Sequence, residues 1–240
     1  MQLPGPVAAL AAALAALDGV AAVALGGSRA TGTARADSDW DLGVYYLGGL
    51  DPGQVRALGH PGYVSALGEW GAIVNGGAWL TVDGIAVDVL YRDLDRVEAW
   101  TADAEAGRFS VLAQNGYLAG APTYLPAGEL AIHVPLAGAL PRPAFPAALA
   151  ASAPERWTAR AALALTFAGQ HERLGDPVAT GGQLANAVLC AAHARLAARR
   201  EWVLNEKRLA ARAGLHDVLA PGASVAAAAA ALGIEPLPIR

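Results

Sequence analysis

Two aspartates separated by one residue, Asp39 and Asp41, follow a glycine-serine pair, Gly27-Ser28, at a distance of about ten residues. Because strand side chains alternate between faces, this spacing directs both carboxylates to one face of a strand and Trp40 to the other. Carboxylate oxygens are the ligands that Mg²⁺ prefers, usually together with substrate phosphates. The pattern therefore predicts a divalent metal site at the start of a strand.

The segment before these aspartates has the features of a phosphate-binding loop. An apolar stretch, 20–25, runs into Gly26 and Gly27, whose backbone can turn tightly and bring N–H groups close to a ligand. Ser28 follows at the predicted start of a short helix, where unpaired N–H groups favour an anion. A phosphate-binding loop beside a cation site is what a metal–nucleotide complex requires.

A third carboxylate, Asp88, lies in a predicted strand with valine on either side. A charge buried there is costly unless something neutralises it. A metal ion shared with Asp39 and Asp41 would do so, and so would an ion pair with Arg92 or Arg29. Three carboxylates can hold two divalent ions, one polarising the attacked phosphate and one lowering the pKa of an acceptor hydroxyl.

Each of these patterns is common by chance, but their order and spacing resemble the nucleotidyltransferase superfamily. Its members include DNA polymerase beta, the aminoglycoside and lincosamide nucleotidyltransferases and the minimal nucleotidyltransferases of toxin–antitoxin pairs. The resemblance covers about residues 6–95, and the helical second part is similar to the C-terminal domain of the antibiotic-modifying branch. It implies that Gly27 and Ser28 contact a nucleoside triphosphate and that Asp39 and Asp41 bind Mg²⁺ or Mn²⁺. It makes Asp88 the third metal ligand or the base toward the acceptor hydroxyl.

Basic and acidic residues elsewhere add further candidates. Arg29 and Arg35 lie between the glycines and the aspartates, where a guanidinium could reach a phosphate or could belong to a helix surface. Lys207 is the single lysine among 17 basic residues, which hints at a nucleotide phosphate contact, although an ordinary helix position is the simpler explanation. Glu129 is a candidate general base within 110–136, a stretch that the pattern leaves unassigned.

The elements that must position these residues alternate between helix and strand. Asp51 before Pro52 predicts a helix start, and Asp83-Gly84 is typical of a type I′ hairpin turn. The pattern predicts helices over 6–17, 51–58 and 93–106, a short helix opened by the Gly26-Gly27-Ser28 turn, and strands over 20–25, 40–47, 78–82 and 85–91.

Three prolines within 140–146 cannot continue a helix or a central strand, so they predict a domain boundary near residue 145. Residues 1–145 are interpreted as the nucleotidyltransferase catalytic domain and residues 146–240 as a helical domain, with turns at Gly175-Asp176-Pro177 and Gly181-Gly182. The predicted fold class is α+β: a mixed β-sheet flanked by helices, followed by an all-α helical bundle.

Composition limits the classes of partner. The chain has 240 residues, 55% of them hydrophobic and 16% charged, which indicates a folded domain rather than a disordered segment. The net charge of −4 divides into −7 over 1–145, with seven basic and 14 acidic residues, and +3 over 146–240, with ten and seven. This balance offers little of the basic track that a nucleic-acid polymerase needs. The single cysteine, Cys190, suits a cytoplasmic location, and no membrane partner is expected.

Together these observations predict a metal-dependent enzyme, a monomer or homodimer, that transfers a nucleoside monophosphate, AMP, from a nucleoside triphosphate to a hydroxyl and releases pyrophosphate. The acceptor is expected to be a small molecule such as an aminoglycoside-like cation, which suits the acidic first part. The alternatives are a protein-AMPylating or antitoxin-type nucleotidyltransferase, then a nucleic-acid polymerase or end-modifying enzyme, and then an inactive nucleotide-binding scaffold.

Overall fold

Short apolar runs separated by turns form the β-strands of the first part. The computed structural model describes residues 3–219 and 223–238. The strands are β1 (Val20–Leu25), β2 (Trp40–Tyr46), β3 (Gly62–Val64), β4 (Gly77–Val82), β5 (Ile85–Asp93), β6 (Val111–Leu112), β7 (Ala121–Pro122) and β8 (Val134–Ala137). The main sheet has the order β3-β4-β5-β2-β1-β8, and β6 pairs with β7.

Helices flank this sheet and make up nearly all the regular structure after it, so the predicted α+β class is confirmed. They are α1 (Gly5–Ala15), α2 (Gly27–Ala30), α3 (Pro52–Ala57), α4 (Leu94–Glu105), α5 (Leu125–Ile132), α6 (Ala147–Arg173), α7 (Pro177–Ala198), α8 (Leu209–Arg212) and α9 (Val225–Leu232). The helices and strands predicted up to residue 106 are all present, with ends that shift by at most two residues. The unassigned stretch, 110–136, contains β6, β7, α5 and the start of β8.

The sheet is mixed because β2 and β5 run parallel, whereas the other neighbouring strands of the main sheet pair antiparallel. The hairpin between β4 and β5 has positive φ angles at both turn residues, 49° at Asp83 and 80° at Gly84. This is the type I′ geometry that the sequence predicts. Asp51 caps α3 as predicted, because its side chain accepts a 2.8 Å hydrogen bond from the Gly53 N–H.

The two faces of β2 have different environments. Trp40, Leu42 and Val44 are buried on one face in a cluster that includes Val7 and Leu10 of α1. The opposite face carries Asp41, Gly43 and Tyr45, and the Tyr45 side chain packs in a smaller cluster with residues of α4 and α5. The sheet therefore buries one face continuously and leaves part of the other available for polar side chains.

By internal contacts the chain divides into two units. The first contains residues up to Asp103 together with Phe109–Asn115 and Pro122–Ala144. The second contains the residues from Phe145 onward together with Ala104–Arg108 and Gly116–Ala121.

In the second unit α6 packs against α7, and Leu184, Val188, Ala192 and Leu196 form a buried core stripe along α7. His193 of α7 stacks on Trp157 with 4.1 Å between ring centroids. Burial lowers the pKa of His193 to about 3, so the imidazole stacked on this ring is neutral at physiological pH.

The predicted turn at Gly181-Gly182 is wrong, because both glycines lie inside α7. Each glycine costs about 1 kcal/mol of helix propensity, and burial of the core stripe outweighs that cost. The turn at Gly175-Asp176-Pro177 is confirmed: Gly175 has a φ of 70° and Asp176 is the N-cap of α7. Within 3–219 and 223–238, none of these helices is both long and apolar enough to cross a membrane.

We expect Asp176→Ala to lower the free energy of unfolding by about 1 kcal/mol, because the Asp176 carboxylate accepts hydrogen bonds from the N–H groups of Val178 and Ala179. Chemical denaturation followed by circular dichroism measures this loss. Glu155→Ala, at an exposed position away from the ends of α6, is the matched control and should leave the free energy of unfolding within about 0.5 kcal/mol of the wild-type value. Equal values for the two variants would contradict the capping role.

Candidate active site

The register between β2 and β5 sets two carboxylates side by side. Asp41 of β2 is the direct partner of Asp88 of β5 in the parallel ladder. Partners in register project to the same face, and neighbouring strands lie about 4.8 Å apart. Both side chains are half-buried. The structure therefore places two carboxylates together at the centre of the main sheet, on the face opposite the Trp40 cluster.

Asp39 lies in the loop just before β2 and is exposed. The Arg29 side chain holds this loop: its Nε donates to the carbonyls of Ser38, at 3.1 Å, and of Asp39, at 3.0 Å. The same guanidinium stacks over the Trp40 ring at 4.2 Å from the ring centroid. Arg29 thereby positions the segment that leads into β2, whereas the phosphate contact expected of it stays a prediction.

Gly27 lies directly against Asp41. Gly27 has a φ of +60°, and a Cβ added to it would overlap the Asp41 carboxylate and lie 3.1 Å from the Asp41 Cβ. The Gly26 N–H donates a 2.8 Å hydrogen bond to the Asp41 carbonyl, which ties this turn to β2. Ser28 follows as the second residue of α2, as predicted. Gly27 is therefore needed for close approach to a carboxylate as well as for the turn.

The metal-binding prediction rests on the chemistry of the donor side chains. In the parts of the chain that the structure describes, no group of three or more His, Cys, Asp or Glu side chains is arranged to hold a metal ion. Joint metal binding by Asp39, Asp41 and Asp88 stays a prediction. The chemistry of the donors fits Mg²⁺, which is commonly held by one or two carboxylates, with substrate phosphates and water completing its coordination.

Glu129 of α5 forms a two-bond ion pair with Arg92 of β5. The Arg92 Nε and Nη2 atoms each lie 2.6 Å from a Glu129 carboxylate oxygen. The Arg92 side chain is 1% exposed and the Glu129 side chain 20%. A carboxylate held in this way neutralises a buried guanidinium, which gives Glu129 a structural role, and its role as a general base stays a prediction.

The remaining basic candidates are Arg35 and Lys207. Arg35 forms an exposed ion pair with Asp37, with 3.1 Å between Nε and Oδ1. Lys207 is an exposed residue of the second unit, and its backbone N–H donates to the Asn205 side chain. A phosphate contact by either side chain stays a prediction.

Three aromatic residues beside the carboxylates are absent from the sequence prediction. Tyr63 of β3 pairs with Trp79 of β4, and Trp79 pairs in turn with Asp88. Trp70, from the loop between β3 and β4, stacks on Trp79. In the predicted strand over 78–82, Trp79 alternates with buried Ala78 and Leu80, and this alternation could have indicated that Trp79 is exposed. The strand that contains Tyr63, β3, is too short to show such an alternation.

In a comparison with protein-family models, residues 7–72 match the nucleotidyltransferase domain. This segment is similar to a nucleotidyltransferase domain. The match includes Gly27, Ser28, Asp39 and Asp41 and ends before β4, so Asp88 lies outside it. The protein is thus a nucleotidyltransferase enzyme that acts on a nucleotide substrate. No curated protein matches the sequence.

We expect Gly27→Ala to cost more stability than Gly32→Ala. Both glycines have a positive φ, so alanine costs about 1 kcal/mol or more of backbone strain at either position. Only at Gly27 does the added Cβ meet a neighbour, the Asp41 carboxylate, which should cost a further 1 to 3 kcal/mol or so. Urea denaturation of both variants measures the difference, and equal losses would contradict the close approach of Asp41.

We expect Glu129→Gln to lower the free energy of unfolding by about 3 kcal/mol, because it leaves the buried Arg92 guanidinium without a countercharge. Asp37→Asn breaks the exposed ion pair with Arg35 and is the matched control, with an expected loss below about 1 kcal/mol. Thermal and chemical denaturation of both variants decide the point. A loss for Glu129→Gln no larger than that of the control would mean that the ion pair does not stabilise the sheet.

Proposed function

We propose that this enzyme transfers AMP from ATP to a hydroxyl group of a small acceptor and releases pyrophosphate. The observation that carries the proposal is the pairing of Asp41 with Asp88 beside the Gly27 turn, in a chain whose residues 7–72 match the nucleotidyltransferase domain. Carboxylates side by side next to a glycine turn are suited to a reaction in which charge on a polyphosphate must be held and positioned.

In the proposed reaction the acceptor oxygen forms a bond to the α-phosphorus as the bond from that phosphorus to the bridging α–β oxygen breaks. The bridging oxygen keeps the electron pair and leaves with pyrophosphate. The acceptor proton passes to a base, for which Asp88 is the candidate on the face shared with Asp41. Gly27 and Ser28 are the proposed contacts of the triphosphate, with Arg29 and Lys207 as further candidates.

Asp39, Asp41 and Asp88 are the proposed ligands of Mg²⁺ or Mn²⁺. When bound, such an ion supplies charge neutralisation at the phosphates and lowers the pKa of the acceptor hydroxyl. The protein's own part is to fix the ligands: Arg29 holds the carbonyl of Asp39, and the β2–β5 ladder fixes Asp41 relative to Asp88.

The acceptor that we propose is a cationic small molecule similar to an aminoglycoside. Residues 1–145 carry 14 acidic and seven basic side chains, and an excess of negative charge raises the local concentration of cations. The same balance disfavours nucleic acid as the acceptor. A cytoplasmic protein acting as a monomer or homodimer completes the proposal.

We expect Asp41→Asn and Asp88→Asn each to slow AMP transfer by about 100-fold or more, because each removes a charge that the proposal places at the reacting phosphate. The measurement follows label from α-³²P-ATP into a panel of hydroxyl acceptors with Mg²⁺ or Mn²⁺. Asp83→Asn, in the exposed turn between β4 and β5, is the matched control and should retain full activity. Transfer that survives in both site variants, or ATP that fails to bind the wild-type protein with metal present, would contradict the proposal.

A further inference from the structure

One row of side chains crosses four adjacent strands on the face that carries the carboxylates. Tyr63 of β3 pairs with Trp79 of β4, Trp79 pairs with Asp88 of β5, and Asp88 pairs with Asp41 of β2. Beyond Asp41 lies Gly27, where the turn approaches its carboxylate. The row therefore has an aromatic end, a carboxylate centre and a glycine-turn end.

The aromatic end is an exposed surface. We name it the aromatic wall and define it as Tyr63, Trp70 and Trp79. Trp79 is 54% exposed and Tyr63 is 42% exposed. Ring centroids lie 4.7 Å apart between Trp70 and Trp79 and 5.7 Å apart between Tyr63 and Trp79. Single exposed apolar residues are ordinary, but three contiguous rings form a surface of the kind that binds ligands.

Dedicated contacts hold the wall in place. Trp70 packs over Gly77, where a Cβ would lie 2.6 Å from its Cζ3 atom. The buried Gln114 side chain braces the Trp70 loop, since its Nε2 donates to the Trp70 carbonyl at 2.6 Å and its Oε1 accepts from Val74 N–H at 3.1 Å. The Tyr63 hydroxyl donates to Glu69, whose carboxylate also accepts from the Ala66 N–H. The rings are therefore preorganised, which lowers the entropy cost of binding.

The geometry of nucleotidyl transfer relates this wall to the acceptor. Attacking and leaving oxygens lie roughly in line at the reacting phosphorus. If pyrophosphate leaves toward Gly27 and Ser28, the acceptor hydroxyl must approach from the opposite end of the row. That end is the aromatic wall. Trp79 and Asp88 are direct partners in an antiparallel strand pair, so their Cα atoms lie about 5 Å apart.

We propose that the aromatic wall is the acceptor-binding subsite and that it takes a ring-shaped molecule with an ammonium group, held by its ring face and its charge on Trp79. This inference rests on the proposed function. Aromatic faces attract cations, most strongly tryptophan, and the acidic excess over residues 1–145 favours the same ligand. Arg56, which donates to the Val64 carbonyl, and Glu69 supply opposite charges near Tyr63 that offset each other there. The proposal therefore assigns the ammonium to Trp79.

The test combines kinetics with direct binding. We expect Trp79→Ala to raise the KM for a kanamycin acceptor about tenfold and to leave the KM for ATP within twofold, while Trp79→Phe restores most of the loss. Thr81→Ala, exposed on the same strand and face, is the matched control and should change neither constant. Isothermal titration calorimetry should show tighter binding of kanamycin than of its fully N-acetylated derivative, which keeps the rings and loses the charge.

The outcomes separate this inference from the proposed function. An unchanged acceptor KM in Trp79→Ala overturns the subsite, even if the variant is less stable, because a purely structural cross-strand pair would give that result. A raised KM for ATP alone means that the wall binds the nucleobase and also overturns it. If no acceptor is labelled, the proposed function fails and calorimetry alone decides: wild-type binding lost in Trp79→Ala supports the subsite, and equal or absent binding overturns it.

Discussion

The parallel pairing of β2 with β5 is the constraint on which the candidate active site depends. It makes Asp41 and Asp88 direct partners on one face, and a shift of one residue in this register would move one of the two carboxylates to the opposite face. The buried side chains on that opposite face, such as Leu42 and Val89, oppose such a shift, because it would expose them. Burial of the core on one side of the sheet thus fixes the polar pair on the other.

Two local features adapt the surrounding chain to this pair. Gly27 lets the turn after β1 lie against the Asp41 carboxylate, and Arg29 bridges from α2 to the carbonyls that precede β2. On the other side the same sheet face continues to Trp79, which is the direct partner of Asp88. A single row across the sheet therefore connects a glycine turn, a carboxylate pair and an aromatic surface. In the proposed chemistry these three parts hold the triphosphate, the reacting phosphate and the acceptor, respectively.

Much of this arrangement could be predicted from the sequence, because the deciding signals are local. The apolar run before Gly26, the cap at Asp51 and the Asp83-Gly84 turn each specify their element through backbone chemistry. What could not be predicted depends on distant contacts. The β3 strand and the Trp70 loop are stabilised by pairing with β4 and by Gln114, and Gly181-Gly182 remain helical because α7 packs against α6. The partner of Arg92 was equally hidden, since Glu129 is 37 residues away in the chain.

A double-mutant cycle on Asp41 and Asp88 tests most directly whether the two carboxylates act as one reaction centre. AMP transfer is measured for the wild type, Asp41→Asn, Asp88→Asn and the double variant, with thermal unfolding to show that all four are folded. Residues that act as a unit give strongly non-additive losses, so the double variant should be about as slow as the slower single variant. Losses that multiply in the double variant would show that the two carboxylates act independently and would contradict a shared reaction centre.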